Sequence, residues 1–571
     1  MSKEFVHLHV HTGYSLNDGL SKIKALVKRA KELGMKSLAI TEHGNMFSAV
    51  AFYKECKKAG IKPIIGSEVY VCPQGMEAKV RENRHKVLLV KNEIGYKNLV
   101  KILSYANMKG FYYNPRTDYD FLKNHAEGLI CLTACLGGDL ARTYNDLFAK
   151  TNSKGKAMEA AIAKVEQLVD IFGKENVYLE VQDNGLQEQY DWNEVVYELS
   201  TITGLPVVCT NDCHYVKKED YFYHDALMAM QAKTTITNTN RKKYESDQFY
   251  LKSRAEMETG RVPVEALDIT NQIADRCNYD FEFNNYHIPV FDYPKEFESN
   301  TAFLRYLVYE GLKERYPDFY EREAELTERA EYEMSVIQNM GFNDYFLIIW
   351  DFLKWSRDNG IPVGPGRGSA AGSIIAYALR ITDVDPIRFK LLFQRFLNPD
   401  RVSMPDIDID ISSEYRDKVI DYVTKKYGNT RVSKIITFGT YGAKNCVRAA
   451  GRVLGLPQRI VDTVAKAIPD TPGISLKQAF DESATLTDMY DKNIDAKSMI
   501  DIGFAIEGNP ASTGTHAAGI LIAPDDVWEY VPVTLDGDGN LVAAFNMTTL
   551  EELGMLKMDF LGLRNLDVID K

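Results

Sequence analysis

Between Met404 and Asp410 the chain reads Met-Pro-Asp-Ile-Asp-Ile-Asp, and this alternation of carboxylate and isoleucine constrains the fold more than any other stretch of the 571 residues. A period of two belongs to a β-strand, with Asp406, Asp408 and Asp410 on one face and Ile407 and Ile409 on the other. Like charges on one sheet face repel, and Asp is disfavoured in strands, so such a face calls for a cation. Same-face residues lie about 6.6 Å apart along a strand, and two of these carboxylates can lean together to bridge two metal ions about 3.5–4 Å apart, the spacing used for in-line phosphoryl displacement. An amphipathic edge strand with a solvated acidic face is the plainer alternative. An EF-hand loop fits poorly, because its sixth position requires Gly and carries Ile411 here.

The length exceeds what one hydrophobic core supports and predicts three or four domains. With 45% hydrophobic and 26% charged residues, the composition is that of a soluble globular protein. A formal net charge of -12 argues against a uniformly basic nucleic-acid coat but leaves room for a local basic channel. The eight Cys form no C-x-x-C pair, and the start, Met1-Ser2-Lys3-Glu4-Phe5, lacks an apolar signal core, so a reducing, cytoplasmic setting is expected. No apolar run is long enough for a transmembrane helix, and no membrane partner is expected.

Near the start, the alternation from Phe5 to Thr12 predicts a strand with His7, His9 and His11 on one face, a spacing that suits a metal. A βα rhythm follows: helix over Leu20–Leu33, strand over Lys36–Ile40, helix over Phe47–Ala59, strand over Lys62–Val71. His43, Glu68, Asp212 and His214 fall where strands end, and in a parallel α/β barrel such positions converge on one face. Eight of the ten His lie within the first 224 residues. A single His is more often a packed or surface residue than a ligand, but the clustering favours a site.

The set His9-Val10-His11-Thr12, Asp18, Thr41-Glu42-His43, Gly66-Ser67-Glu68, His85, Cys135 and Asp212-Cys213-His214 resembles the polymerase and histidinol phosphatase (PHP) domain. That resemblance implies a seven-stranded barrel, (β/α)7, over residues 1–283, holding about three divalent metals, Zn²⁺ or Mn²⁺, for phosphoester hydrolysis. Matched position by position, the ligands are His9, His11, Asp18, His43, Glu68, His85, Cys135, Asp212 and His214, with His7 a weaker candidate. A purely structural metal site is the alternative.

Amphipathic helices, such as Tyr320–Ile337, and the aromatic-rich Tyr345–Trp355 carry no catalytic constellation. From Val363 to Ser373 the sequence turns Gly-rich, with a helix predicted over Ser369–Leu379, so a loop of free N–H groups leads into a helix N-terminus, an arrangement suited to phosphate. Neither the Walker spacing nor the dinucleotide fingerprint is met, and a plain turn and cap is the alternative.

Gly-rich loop followed by carboxylate strand, with Phe393-Gln394-Arg395-Phe396-Leu397-Asn398-Pro399 between them, resembles the palm of the bacterial DNA polymerase III alpha-subunit family. The resemblance implies an α/β and α+β multidomain chain: the PHP-type barrel, then a polymerase-beta-like palm (284–431 and 512–571) interrupted by a mostly helical thumb (432–511). It assigns Asp406, Asp408 and Asp559 to two catalytic Mg²⁺, Asp410 to a supporting place, and Gly368, Ser369, Arg395 and Lys557 to the deoxynucleoside triphosphate. Tyr422–Val461 contains eight basic residues and no acidic one, which suits primer-template DNA and points to Lys434, Lys444, Arg448 and Arg452; a solvated basic face is the alternative. The family's fingers, clamp-binding segment and oligonucleotide-binding fold have no counterpart in the sequence, so sliding clamp and clamp loader are expected to act through regions beyond Lys571, and polymerisation by this length to be weak or undetectable. A proofreading subunit at the PHP domain is a further expected partner. Two rival readings stand beside DNA synthesis: a barrel acting alone as a phosphoesterase or 3′-to-5′ exonuclease, and a non-catalytic DNA-binding scaffold.

Overall fold

The computed structural model describes residues 4–16, 18–398 and 404–571; Met1 to Lys3 and Pro399, on which two of the expectations above fall, lie outside the described residues. The chain divides into two compact units, one formed by residues 1–280 and 438–514, the other by 281–437 and 515–571.

The first unit is built on a seven-stranded sheet: β1 (Ser37–His43), β2 (Lys62–Val71), β3 (Arg84–Val90), β4 (Arg116–Thr117), β5 (Leu129–Leu132), β6 (Val177–Gln182) and β7 (Val207–Thr210). The order is β1-β2-β3-β5-β6-β7, with β4 added to the end of β2. The intervening helices cover the strands in the expected rhythm. Ala49–Ala59 follows β1 and stops at Gly60, whose φ of 76° ends the helix where a side chain would be strained. Glu93–Met108 follows β3, with the Asn92 side chain accepting from the Gly95 N–H to cap it.

Two features depart from the sequence reading. β3 runs antiparallel to both β2 and β5, whereas the strand-end argument took every strand as parallel. The segment Phe5–Thr12 forms no regular strand; it is an extended closure between β1 and the end of β7. The carbonyls of His7 and Val10 accept from Ala39 and Thr41 on one side, while His11 N–H donates to Cys213 and Cys213 N–H to His9 on the other. This backbone bonding satisfies the edge of β1 and the chain just past β7, which an open sheet would leave bare.

Residues 438–514 pack with the barrel. Cys446, Val447 and Ala450 of the helix Ala443–Val453 share one buried cluster with Leu20, Tyr215, Leu227 and Phe249.

The second unit holds a six-stranded sheet in the order β11-β12-β9-β10-β13-β8, where β8 is Asp408–Ser412, β9 Val432–Thr440, β10 Pro510–Ile522, β11 Val533–Leu535, β12 Leu541–Ala543 and β13 Leu556–Leu563. β9 and β10 continue beyond this unit and are where the chain leaves it and returns. β8 and β13 run parallel, and β13 and β10 antiparallel. Ile407 and Ile409 are buried as the alternation requires, in a core shared with the helix Asn343–Asp358, whose Phe352 ring lies 5.0 Å from that of Phe560.

The helix expected over Ser369–Leu379 is broken into a 3-10 turn, Gly368–Gly372, and a short helix, Ile374–Ala378. Ser373 is the cause. Its extended backbone starts a new helix, its hydroxyl accepting from the Ala376 N–H and donating to the buried Glu333.

Candidate metal centres

In the first unit, nine candidate ligands converge at one end of the barrel. His9 and His11 arrive on the closing segment, Asp18 on the loop that follows it, His43 at the end of β1, Glu68 on β2, His85 on β3, and Cys135, Asp212 and His214 on loops after β5 and β7. His9 Nε2 lies 2.9 Å from Glu68 Oε2 and 3.4 Å from Asp212 Oδ1; His11 Nε2 lies 3.3 Å from the same Asp212 oxygen. His43 spans 3.0 Å to Asp18 and 3.0 Å to Glu68, and His85 Nε2 approaches Cys135 Sγ at 3.2 Å. Donor atoms of His9, His11, Glu68 and Asp212 lie within 4.8 Å of one another, as do those of His11, His43 and His214.

The electrostatics favour a cation. His11 Nε2, Asp18 Oδ1 and Asp212 Oδ1 are buried and make no well-formed hydrogen bond, although His11 Nε2 lies beside Asp212 Oδ1 and Asp18 Oδ1 beside His43 Nε2. Burial of His11, with the His43 and His214 rings beside it, pushes its imidazole down to about 3. Burial opposes charge on His9, yet Asp212 and Glu180 outweigh it and hold the ring well above its ordinary range. Glu68 is likewise held well below its ordinary value, its burial being overcome by His85 and His43. Burial and the nearby Asp212 and Glu68 carboxylates push the Cys135 thiol well up. Imidazole, carboxylate and thiol crowded together with orphaned donor atoms are the ligand types that divalent metals take, so the residues present fit such a group. Asp212 also holds a φ of 49°, unusual for a residue other than Gly and a mark of a position fixed by its surroundings.

His7 does not join them, being bonded through Nε2 to the Lys252 carbonyl and through Nδ1 to Cys213. The sequence reading missed Glu180, a fully buried acid on β6 whose carboxylate takes the His9 Nδ1 hydrogen bond at 2.8 Å and the Ala134 N–H at 2.8 Å. Its signal was there, as the one acid inside the apolar strand Val177–Gln182. Tyr244, hydrogen-bonded to His214 Nε2 at 3.0 Å, left no such signal. The cluster opens into a cavity of about 570 Å³, whose rim carries Asn83, Asn114, Arg142, Lys242 and Lys243.

In the second unit, Asp408 and Asp559 sit opposite each other in the parallel register of β8 and β13, and Asp406 brings a third carboxylate oxygen within 4.8 Å. Asp406 precedes the strand instead of lying in it, which leaves it exposed. Although the residue is exposed, neighbouring atoms partly shield its carboxyl from water, and this desolvation together with Asp408 and Asp559 raises it, with Lys557 opposing. Asp559 Oδ1 is buried without a partner. These oxygens, with hard-ligand chemistry and unbalanced charge, fit divalent metal. Asp410 stands outside the trio; its Oδ1 lies 3.3 Å from Arg367 Nε.

Among the proposed nucleotide contacts, Lys557 Nζ lies 2.9 Å from Asp559 and 2.6 Å from Glu551, which raise its pKa against burial. Gly364 donates its N–H to the Asp410 carbonyl at 2.8 Å, packing the Gly-rich loop on β8, and Gly368, with φ of 72°, brings the exposed start of the turn beside Asp408. Ser369 is exposed on that turn. Arg395 stands apart, exposed at the end of the turn Phe393–Arg395 whose Phe393 is buried, with no contact to the carboxylates among the described residues.

The four basic residues are not one group. Lys444, Arg448 and Arg452 share the helix Ala443–Val453 in the first unit, where Arg448 and Arg452 line a cavity of about 500 Å³ with Tyr441 and Asn445. Lys434 lies on β9 in the second unit. The acid-free stretch is offset by acids from elsewhere: Lys426 pairs with Asp351, Lys434 with Asp536, Lys444 with Asp470, and Arg448 approaches Asp462 at 4.0 Å.

Comparison with known proteins matches the PHP domain over residues 7–184 and the bacterial DNA polymerase III alpha NTPase domain over residues 302–562. A DNA polymerase III subunit alpha from Borreliella burgdorferi is 43% identical over 573 residues, covering 99% of this chain and 49% of the relative. The chain belongs to the bacterial DNA polymerase III alpha-subunit family. Family members of the same name from Treponema pallidum and Aquifex aeolicus are 43% and 40% identical, each over 99% of this chain and over 48% and 52% of the relative. The chain thus spans about half the length of the curated relatives it matches. Among the described residues no helix is long and apolar enough to cross a membrane.

Proposed function

We propose that this chain supplies the acidic centre of a template-directed DNA polymerase together with a second, barrel-borne centre for phosphodiester hydrolysis. The first reading is carried by the pairing of Asp408 with Asp559 across β8 and β13, with Asp406 within reach and Lys557 on the same strand two residues before Asp559. On this reading 284–431 and 512–571 are palm and 432–511 is thumb, Asp406, Asp408 and Asp559 hold two Mg²⁺, and Asp410 supports them. Bound divalent metal supplies Lewis-acid stabilisation of the charge that develops in phosphoryl transfer. Lys557 offers an ammonium to the triphosphate, with Glu551 and Asp559 keeping it protonated and in place. Gly368 and Ser369 present the exposed turn beside Asp408, and Arg395 reaches the nucleotide only by moving toward it. Lys444, Arg448 and Arg452, with Lys434, take phosphates of the primer-template duplex, and each must exchange its present acidic neighbour, where it has one, for a phosphate.

The second centre is favoured by the orphaned atoms of His11, Asp18 and Asp212. There His9, His11, Asp18, His43, Glu68, His85, Cys135, Asp212 and His214 hold about three Zn²⁺ or Mn²⁺, and Glu180 fixes the His9 ring. A proofreading subunit at the barrel is the partner this assignment entails for these residues, and sliding clamp and clamp loader would engage only regions outside them.

A labelled primer-template incubated with Mg²⁺, Mn²⁺ or Zn²⁺ tests both readings. Growth of the primer that disappears in Asp408→Ala supports synthesis, and shortening that disappears in His9→Ala supports hydrolysis. Electron paramagnetic resonance of Mn²⁺ reads the sites without turnover; Asp408→Ala is expected to remove roughly two ions, and unchanged stoichiometry refutes the acidic centre.

A further inference from the structure

Beside the mouth of the barrel cavity, two loops are tied together by one arginine. Arg116 is fully buried, and its guanidinium donates to the carbonyls of Gly110, Val80, Glu82, Met76 and Ala78, at 2.6 Å to Val80 and Ala78. All its donors serve to hold the loop around 76–83 against the turn around 110–114, which is costly to arrange and rigid once made.

What these loops display is unusual for a surface. Phe111 is 55% and Tyr113 62% exposed. Tyr113 is held at a φ of 65°, a conformation an aromatic residue seldom adopts, at the tip of a turn closed by the Tyr112 N–H on the Asn114 carbonyl. The Arg81 guanidinium covers one face of the Tyr113 ring at 4.1 Å, and the Lys79 ammonium lies over Tyr112 at 5.7 Å. Of the two acids within this loop, Glu82 is engaged by Arg84 and Arg142, while Glu77 is exposed. Asn83 and Asn114, which line the cavity, follow Arg81 by two residues and Tyr113 by one, so these two stand at most about 7 Å of backbone from the cavity lining, with Phe111 and Lys79 at most about 11 and 14 Å from it.

We propose that this platform of exposed rings and interleaved cations binds single-stranded DNA at the entrance to the barrel cavity. Unpaired bases have free faces to stack on Phe111 and Tyr113, while Arg81 and Lys79 meet the phosphates that follow. A duplex hides those faces. The strand's direction into the cavity rests on the phosphodiester reading of the metal centre; the binding surface itself does not.

The test uses the whole chain in EDTA and a fluorescein-labelled oligo-dT of about twelve nucleotides, within the span such surfaces cover. Phe111→Ala is expected to weaken binding about tenfold, and Arg81→Ala to lower the slope of log affinity against log salt by about one. Both side chains are exposed, and circular dichroism together with metal content checks that the barrel is intact. Tyr320→Ala, which removes a still more exposed ring in the other unit, is expected to change nothing. An oligonucleotide ending in 5-iodouracil is expected to photocrosslink to the peptide carrying Phe111 and Tyr113. Unchanged affinity in both variants, or crosslinks confined to the helix Ala443–Val453, overturns the proposal and leaves the rings to a protein partner. Loss of binding in the variants, with no shortening of the strand by the native chain when Mn²⁺ or Zn²⁺ is restored, keeps the platform and refutes the hydrolytic reading.

Discussion

Replacing Glu180 by Gln changes one atom deep in the barrel and is expected to cost metal affinity out of proportion to its size. Both carboxylate oxygens are committed as acceptors: Oε1 to His9 Nδ1 and to the Thr210 and Gln182 side chains, Oε2 to the Ala134 N–H. An amide has only one acceptor oxygen, so its NH₂ must face a donor. If it faces Ala134, two N–H groups oppose each other in a buried place, a penalty of about 1–3 kcal/mol. If it faces His9, the imidazole must accept at Nδ1 and carry its proton on Nε2, the atom directed at Glu68 and Asp212. A ring protonated there no longer offers a lone pair. Outer-shell partners of this kind are worth about 10–100-fold in metal affinity, or roughly 1.4–2.7 kcal/mol. Competition against a chromogenic zinc chelator measures the change, and differential scanning calorimetry of the metal-free protein separates it from lost stability. Metal binding by Glu180→Gln within threefold of the native chain would refute the view that Glu180 sets the His9 tautomer.

Two further outcomes follow from buried contacts. Lys86 and Asp139 form an ion pair of 2.9 Å with both side chains almost wholly buried, so Asp139→Asn, which strands the ammonium, is expected to destabilise the chain by about 3–5 kcal/mol in urea unfolding. Burial pushes the Asp139 carboxyl up, but Lys86 and Lys164 outweigh it and bring it to about 2; the pair's contribution is therefore complete above the unfolded value of about 3.9 and lost as pH falls through about 2, so acid unfolding of Asp139→Asn should flatten in that window. Gly364→Ala would place a methyl 2.7 Å from Asp410 Cβ, and a loss of about 1–3 kcal/mol with weaker Mn²⁺ binding by the second unit is expected; full stability would show that the Gly-rich loop is not packed on β8 as described.

Much of the barrel was legible because its helices and strands each declare themselves locally, through period, cap and terminating Gly. Strand direction did not, since nothing in the sequence of β3 distinguishes antiparallel from parallel neighbours. Nor did the closure by Phe5–Thr12, which is made by backbone groups common to every residue. Alternation placed His7 with His9 and His11, but the carbonyl of Lys252, 245 residues away, takes its ring. In the second unit, the pattern placed the isoleucines correctly, yet the partnership of Asp408 with Asp559 came from resemblance, because no periodicity links strands so far apart. The acid-free stretch misled in the same way: its neutralising partners, such as Asp470 and Asp536, are near only in space.

The interleaving of the two units also dictates a timetable. Leu20 receives a hydrogen bond from Asn509, 489 residues later, and the barrel's buried cluster includes side chains from Ala443 to Ile506. On a ribosome adding ~5–20 residues per second, the first 280 residues wait through about 230 more, on the order of ten to fifty seconds, before their unit can close. During that interval β8 has been made but β13 has not, so its edge is open to any passing strand. The aspartates that crowd that strand then act as a guard, since a row of like charges repels a second copy of itself. Residues read above as holders of metal are thereby also the protection of the unfinished chain.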